Sequence, residues 1–195
     1  LSILIVDNDL GFSQFALDTA RKVGFKAMVT PSGAAALALA AQYQPRAVLL
    51  DISLPDIDGW RVLERLKRDL TIRHIPVFVC STVDQPEQGY RLGAQGVLPK
   101  PIQTADALEE FLEGVQAFIE RPTRRVIVVD ADVLRREELA NLLNWPDVTV
   151  DAFDTGAAAV ESLQGAPADC IVLTPEPTDV SLASLAEQLQ SATSE

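Results

Sequence analysis

The sequence predicts an α/β fold: a doubly wound, parallel five-stranded sheet of order 2-1-3-4-5, followed by a smaller, partial α/β unit. Three observations predict it. Apolar strand-like runs alternate with helical runs through the first 120 residues, the pattern of βα units joined by right-handed crossovers. Two of these runs close on acids, Asp7 and Asp51, as buried strands do where they meet solvent. The pattern then restarts after residue 124, which is an internal repeat.

The elements follow in order. Residues 1–6 form an apolar run ending in Asp7, Asn8 and Asp9. Phe12, Phe15, Ala16, Thr19, Ala20 and Val23 keep helical spacing, and Gly24 stops that helix. Residues 25–30 make a second strand, and Pro31 and Ser32 open an Ala-rich helix that Pro45 ends. Ala47, Val48, Leu49 and Leu50 are apolar without alternation, so the third strand is buried on both faces and delivers Asp51 to its edge. A loop over 52–58 leads into a helix from Gly59 with Trp60, Leu63 and Leu66 on one side. Residues 76–81 are the fourth strand, 86–92 a helix, and Val97 and Leu98 a fifth strand. Thr104 caps a long helix whose apolar positions are Leu108, Phe111, Leu112, Val115, Phe118 and Ile119. In a sheet of this order, ligands bind beyond the strand ends where the order reverses, between strands one and three. Those strands end in Asp7 and Asp51.

Residues 121–124 read as a linker, and 125–195 as a copy of the first three βα units. Residues 125–130 repeat 3–7; a helix over 134–143 carries Leu139, Leu142 and Leu143 on one face; 148–152 is a strand; and 156–163 repeats the Ala-rich helix. Residues 169–173 repeat the third strand, but Thr174 stands in the place of Asp51. A last helix is expected over 182–189. The apolar faces of this part are expected to form a core, while an incomplete sheet exposes an edge that must pair with further residues, the first domain, or a second copy as a homodimer.

Composition excludes several classes. With 48% hydrophobic residues in 195, the chain can build packed cores. Its net charge of −12 argues against a nucleic-acid partner, and the acidity is concentrated beyond Pro122, with 4 basic against 13 acidic residues. No apolar run is long enough for a membrane span, so no membrane contact by this chain is expected. Cys80 and Cys170 lie in apolar runs and read as reduced core thiols, in keeping with a cytoplasmic location. The chain does not open on Met and reads as a piece of a longer protein. His74, the single histidine, reads as a plain loop residue before Pro76, and Trp60 and Phe111 as packing residues.

Four motifs carry a resemblance: VDND after strand one, LLDISLPDIDGW around strand three, PVFVCST at strand four and GAQGVLPKP at strand five. In this βα context the first 120 residues resemble a receiver domain of the bacterial two-component response regulators, with the flavodoxin-like fold. The second part is similar to the first three βα units of another receiver, a tandem that resembles pieces of hybrid sensor histidine kinases. The resemblance implies that Asp51 is a phosphoacceptor taking a phosphoryl group from a phosphohistidine of a histidine kinase or phosphotransfer domain. It implies no kinase catalytic domain on this chain, only self-catalysed aspartyl phosphotransfer, with output to a downstream protein surface.

The same resemblance implies Mg²⁺, held by Asp7, Asp51 and the backbone carbonyl of Ser53. The family's usual second acid is Asn8 here, so one charge is missing and weaker Mg²⁺ binding is expected, with Asp9 able to compensate through a water. Ser81 matches the hydroxyl that bonds the phosphoryl group, Lys100 the lysine that pairs with it, and Lys100-Pro101 the family's cis peptide. Val97 stands where many members carry an aromatic switch residue. In the second part Asp130 keeps the first acid, Ala131 and Thr174 replace the others, and the unit reads as a pseudo-receiver. The competing class is a phosphorylation-independent interaction scaffold. A phosphohydrolase or nucleotide-binding enzyme lacks support, because no glycine-rich phosphate loop follows strand one.

Overall fold

In a computed structural model, residues 1–82, 85–102, 104–121 and 123–174 are described. Five strands form the first sheet: β1 (Ser2–Val6), β2 (Lys26–Thr30), β3 (Ala47–Leu50), β4 (Val77–Ser81) and β5 (Gly96–Pro99). All are parallel, in the order β2-β1-β3-β4-β5, as the sequence predicts. Between them run α1 (Leu10–Lys22), α2 (Gly33–Tyr43), α3 (Gly59–Arg68) and α4 (Pro86–Arg91), and α5 (Ala105–Glu120) follows.

Strand alternation sorts the core into two layers. Leu4, Val6, Val48, Leu50, Val77 and Val79 pack on one face with Ala36 and Ala40 of α2 and Val62, Leu63 and Leu66 of α3. Ile3, Ile5, Ala47, Leu49, Phe78 and Cys80 pack on the other with Ala16 and Ala20 of α1 and Leu108, Leu112, Val115 and Ile119 of α5. Every residue of β3 is buried, which is why that strand carries no polar alternation. Trp60 packs against the first layer and Phe111 meets Phe78 edge-on at 5.8 Å, so both are packing residues.

Helix ends follow their caps. Asp9 caps α1, Ser32 caps α2 and Asp58 caps α3. Beyond α1 the chain reverses at Gly24, whose φ of 103° suits a residue without a Cβ.

Chain contacts divide into two units, one ending at Glu120 and the other starting at Arg121. The second holds β6 (Arg124–Val129), α6 (Val133–Leu143), β7 (Val148–Phe153), α7 (Gly156–Gly165) and β8 (Cys170–Leu173), with the parallel order β7-β6-β8. Arg125 ties the unit together: Nε meets Asp151 at 2.7 Å, Nη2 meets Ser162 Oγ at 2.6 Å, and Nη1 donates to the carbonyl of Ala166.

Two expectations are corrected here. Cys80 is a core thiol, its pKa pushed up to about 12 by burial, but Cys170 is exposed. Cys170 opens β8, an edge strand with a neighbour on one side only among the described residues. Helix α6 buries none of its residues fully: of its expected apolar face, Leu139 and Leu143 are half-buried and Leu142 is exposed at 66%. The core of this unit lies instead around Ile127, Val129 and Ala159, because a three-stranded sheet is too narrow to cover a helix face fully. The helix expected over 182–189 lies outside the described residues. No described helix is long and apolar enough to cross a membrane.

Candidate functional site

The site is built where β1 and β3 run side by side and stop together. The Asp51 amide donates to the Val6 carbonyl at 2.8 Å, so the acids that follow the two strands emerge next to each other. Both are buried. From the end of β5, Lys100 reaches in: its Nζ lies 2.5 Å from Asp7 Oδ2 and 2.9 Å from Asp51 Oδ2. Its own backbone amide is held by the Ser81 carbonyl at 2.9 Å, and the Lys100-Pro101 peptide is cis. One ammonium thus bridges two carboxylates that would otherwise repel.

Burial raises the pKa of Asp7, and the bond from Lys100 offsets this only in part. Burial lowers that of Lys100, but its bonds to Asp7 and Asp51 outweigh burial and the net shift is upward, so the ammonium stays charged. Phe12 adds a third contact, with Nζ 4.2 Å from its ring centroid. Phe12, Phe15, Pro101, Ile102 and Thr82 line a cavity of about 300 Å³ beside the lysine.

The other sequence-predicted residues fall as follows. Ser81, at the end of β4, is buried. Asn8 and Ser53 are exposed, and the Ser53 amide donates to Asp51 Oδ1 at 3.1 Å. Asp9 is committed as a helix cap, its Oδ1 accepting from the amides of Gly11 at 2.8 Å and Phe12 at 3.0 Å. Val97 is half-buried and His74 is exposed. Among the described residues no three acidic, His or Cys side chains cluster as a metal-binding group. Two buried carboxylates sharing one cationic point nevertheless make a hard-oxygen donor set that fits Mg²⁺, which uses few protein ligands and keeps its waters.

Sequence reasoning missed two participants. Phe12 stood out only as part of a core face, although it touches Lys100. Asp56 was one acid among several in a loop, yet it fastens that loop to α2: it accepts from Ser32 Oγ at 2.7 Å, Gly33 N at 2.9 Å and Ala34 N at 3.0 Å. No local signal announces a bond between residues so far apart in sequence.

The backbone amide of Ala34, with Ser32 and Gly33, holds the Asp56 carboxyl well below the usual carboxylate range. A depressed folded-state pKa contributes stability above the unfolded value and loses it as pH falls. The difference in thermal midpoint between wild type and Asp56→Ala should therefore be constant near neutrality and shrink below about pH 4, followed by calorimetry. A difference that grows on acidification would contradict this clamp.

Comparison with known proteins shows the family. Residues 3–112 match the response regulator receiver domain model. The chain is 32% identical over 122 residues to the polar-differentiation response regulator DivK of Brucella ovis, covering 60% of this chain and 95% of DivK. It is 34% identical over 125 residues to the DNA-binding dual master transcriptional regulator RpaA of Synechocystis, covering 63% of this chain but only 50% of RpaA. Among solved structures, the Mn²⁺-bound form of response regulator Rcp1 is similar with TM-score 0.51 and 25% identity, over 60% of this chain and 92% of Rcp1. The phosphorylated cyanobacterial phytochrome response regulator RcpA gives 0.53 and 26%, over 60% and 91%. With a parallel sheet of order 2-1-3-4-5, paired acids at the ends of β1 and β3 and a lysine spanning them, this chain belongs to the response regulator receiver domain family and serves two-component phosphorelay signalling.

Proposed function

We propose that Asp51 is the phosphoacceptor of this receiver, taking its phosphoryl group from a phosphohistidine of a histidine kinase or phosphotransfer domain with Mg²⁺ as cofactor. The observation that carries the reading is the Lys100 ammonium shared between Asp7 and Asp51. In the transfer, an Asp51 carboxylate oxygen attacks phosphorus, the P–N bond to the donor imidazole breaks, and the imidazole leaves with a proton from solvent. A carboxylate is a weak nucleophile, so positioning and charge neutralisation must supply most of the acceleration. Lys100 stays within reach of Asp51 and neutralises the incoming phosphoryl oxygens. Ser81, buried at the end of β4, offers a hydroxyl donor to them. The Ser53 amide already fixes one Asp51 oxygen and leaves the other facing the lysine.

Asp7, Asn8, Asp51 and the Ser53 carbonyl would hold the Mg²⁺. When bound, it supplies further neutralisation of phosphoryl charge. With two carboxylates and a neutral amide, the affinity is expected to be low. The Mn²⁺-bound form of Rcp1 and the phosphorylated form of RcpA support both chemistries in relatives.

The second unit, 125–195, is read as a partial pseudo-receiver joined by a linker at 121–124, and the whole as a cytoplasmic piece of a hybrid histidine kinase. Phosphorylation shifts an equilibrium between two conformations of the first unit and so changes the surface shown to a downstream protein.

Acetyl phosphate with Mg²⁺ should add a single phosphoryl mass to the wild-type chain and none to Asp51→Asn, measured by intact mass spectrometry. If wild type remains unlabelled under conditions that label ordinary receivers, the phosphorylation-independent scaffold is the correct reading.

A further inference from the structure

The acid site of the second unit is already filled from within. A single sequence offset relates the two units, and around the acid their backbone hydrogen bonds correspond. The Asp130 amide donates to Phe153 O at 3.1 Å as that of Asp7 donates to Thr30 O at 3.0 Å. The Thr174 amide meets Val129 O at 3.2 Å as that of Asp51 meets Val6 O at 2.8 Å. The Asp132 amide bonds Asp130 Oδ1 at 2.8 Å as that of Asp9 bonds Asp7 Oδ1 at 2.9 Å, and both Asp132 and Asp9 cap the helix that follows. Even the support of the acid's carbonyl repeats: Arg136 Nη1 bonds Asp130 O at 2.6 Å where Ser13 Oγ bonds Asp7 O at 3.0 Å.

By that offset the residue in the place of Phe12 is Arg135. In the first unit this position offers an aromatic ring to a lysine that comes from β5. In the second it carries the cation itself. Arg135 Nε lies 2.5 Å from Asp130 Oδ2 and Nη2 lies 3.0 Å from Oδ1, a two-pronged grip on a fully buried carboxylate. Ala131 and Thr174 add no charge, so the site is neutral as it stands.

We propose that Arg135 is the resident cation of the second unit, standing against Asp130 so that this unit takes up neither a divalent ion nor a phosphoryl group and shows one fixed surface whatever the state of the first. This rests on the reading of the second unit as a pseudo-receiver. The donor set does not fit Mg²⁺: it offers one carboxylate where the first unit offers two, and that one is gripped on both oxygens by a guanidinium that a divalent ion must first displace. Arg135 also holds the Asp130 carboxyl below the usual range, so it stays ionised and paired.

The test uses the full chain, ¹⁵N-labelled, with Mn²⁺ as a paramagnetic probe. In wild type, the amide signals of 7–9 and 51–53 should lose most of their intensity while those of 130–132 keep theirs. Thr174→Asp alone should leave 130–132 unaffected, because the new carboxylate meets the same guanidinium. Thr174→Asp combined with Arg135→Phe should make 130–132 lose intensity. Loss at 130–132 in wild type, equal loss in the single and double variants, or none in the double variant overturns the proposal. The wild-type arm needs no substitution and so does not depend on how the variants fold. Phosphoryl mass on Asp51→Asn would instead overturn the pseudo-receiver reading, and loss at 130–132 without such mass overturns the resident cation alone.

Discussion

Gly59→Ala is expected to lower the stability of the first unit by about 3 kcal/mol, the upper end of the usual overpacking cost, and its thermal midpoint by on the order of 10 °C. A Cβ there would lie 2.4 Å from the Ile52 Cα, 2.6 Å from the Asp51 carbonyl oxygen and 2.9 Å from that of Ile52. All three are backbone atoms, so no side chain can rotate away. Relief must come from moving the start of α3 away from the strand end that carries Asp51, so labelling by acetyl phosphate should fall as well. The gain of replacing glycine in a helix is at most about 1 kcal/mol and cannot offset this. Gly114→Ala in α5 is the control: nothing lies within 4 Å of its new Cβ, and the variant should be as stable as wild type or slightly more so. Equal midpoints for the two variants, measured by calorimetry, would mean that the loop after β3 yields to the added methyl group.

Lys100→Met is expected to reduce the rate of Asp51 labelling by roughly 10²-fold or more, the usual cost of removing one preorganised charge-stabilising donor. It should also destabilise the first unit by about 3 kcal/mol or more at neutral pH, as breaking a buried ion pair from one side does. Methionine keeps the unbranched apolar stem and is one atom shorter, so most of the packing is retained and the main loss is the charge. The pH dependence separates this from a packing defect. Burial has already raised Asp7, and without the ammonium its proton affinity increases further. A carboxyl whose folded-state pKa lies above its unfolded value binds more protons folded than unfolded across that window, so stability falls as pH rises through it. The deficit of Lys100→Met should therefore shrink on mild acidification and widen toward neutrality. A deficit independent of pH would assign Lys100 a packing role only.

Much of the fold is legible in the chain itself, for a local reason. Unalternated apolar runs such as Ala47 to Leu50 are buried on both faces wherever they occur, and Ser32 and Thr104 cap the helices that follow them because capping uses near neighbours. The placing of Asp7 and Asp51 side by side also follows from strand order, which the resemblance to receiver domains implies and the βα repeat alone does not.

Pairings between distant side chains are not legible in the same way. Asp9 and Asp56 look like free charges near the site, yet one caps α1 and the other fastens the loop after β3 to α2. Leu142 belongs by spacing to a core face and lies exposed, since burial depends on how wide a sheet stands opposite. The sequence alone determined the strands, their order, the acids at their ends and the missing acceptor at Thr174. Only the tertiary structure decided that Lys100 serves both acids of the first unit and that Arg135 occupies Asp130 in the second. Local patterns are set by neighbours along the chain, whereas the partner of a buried charge is whichever group the completed fold brings within bonding distance.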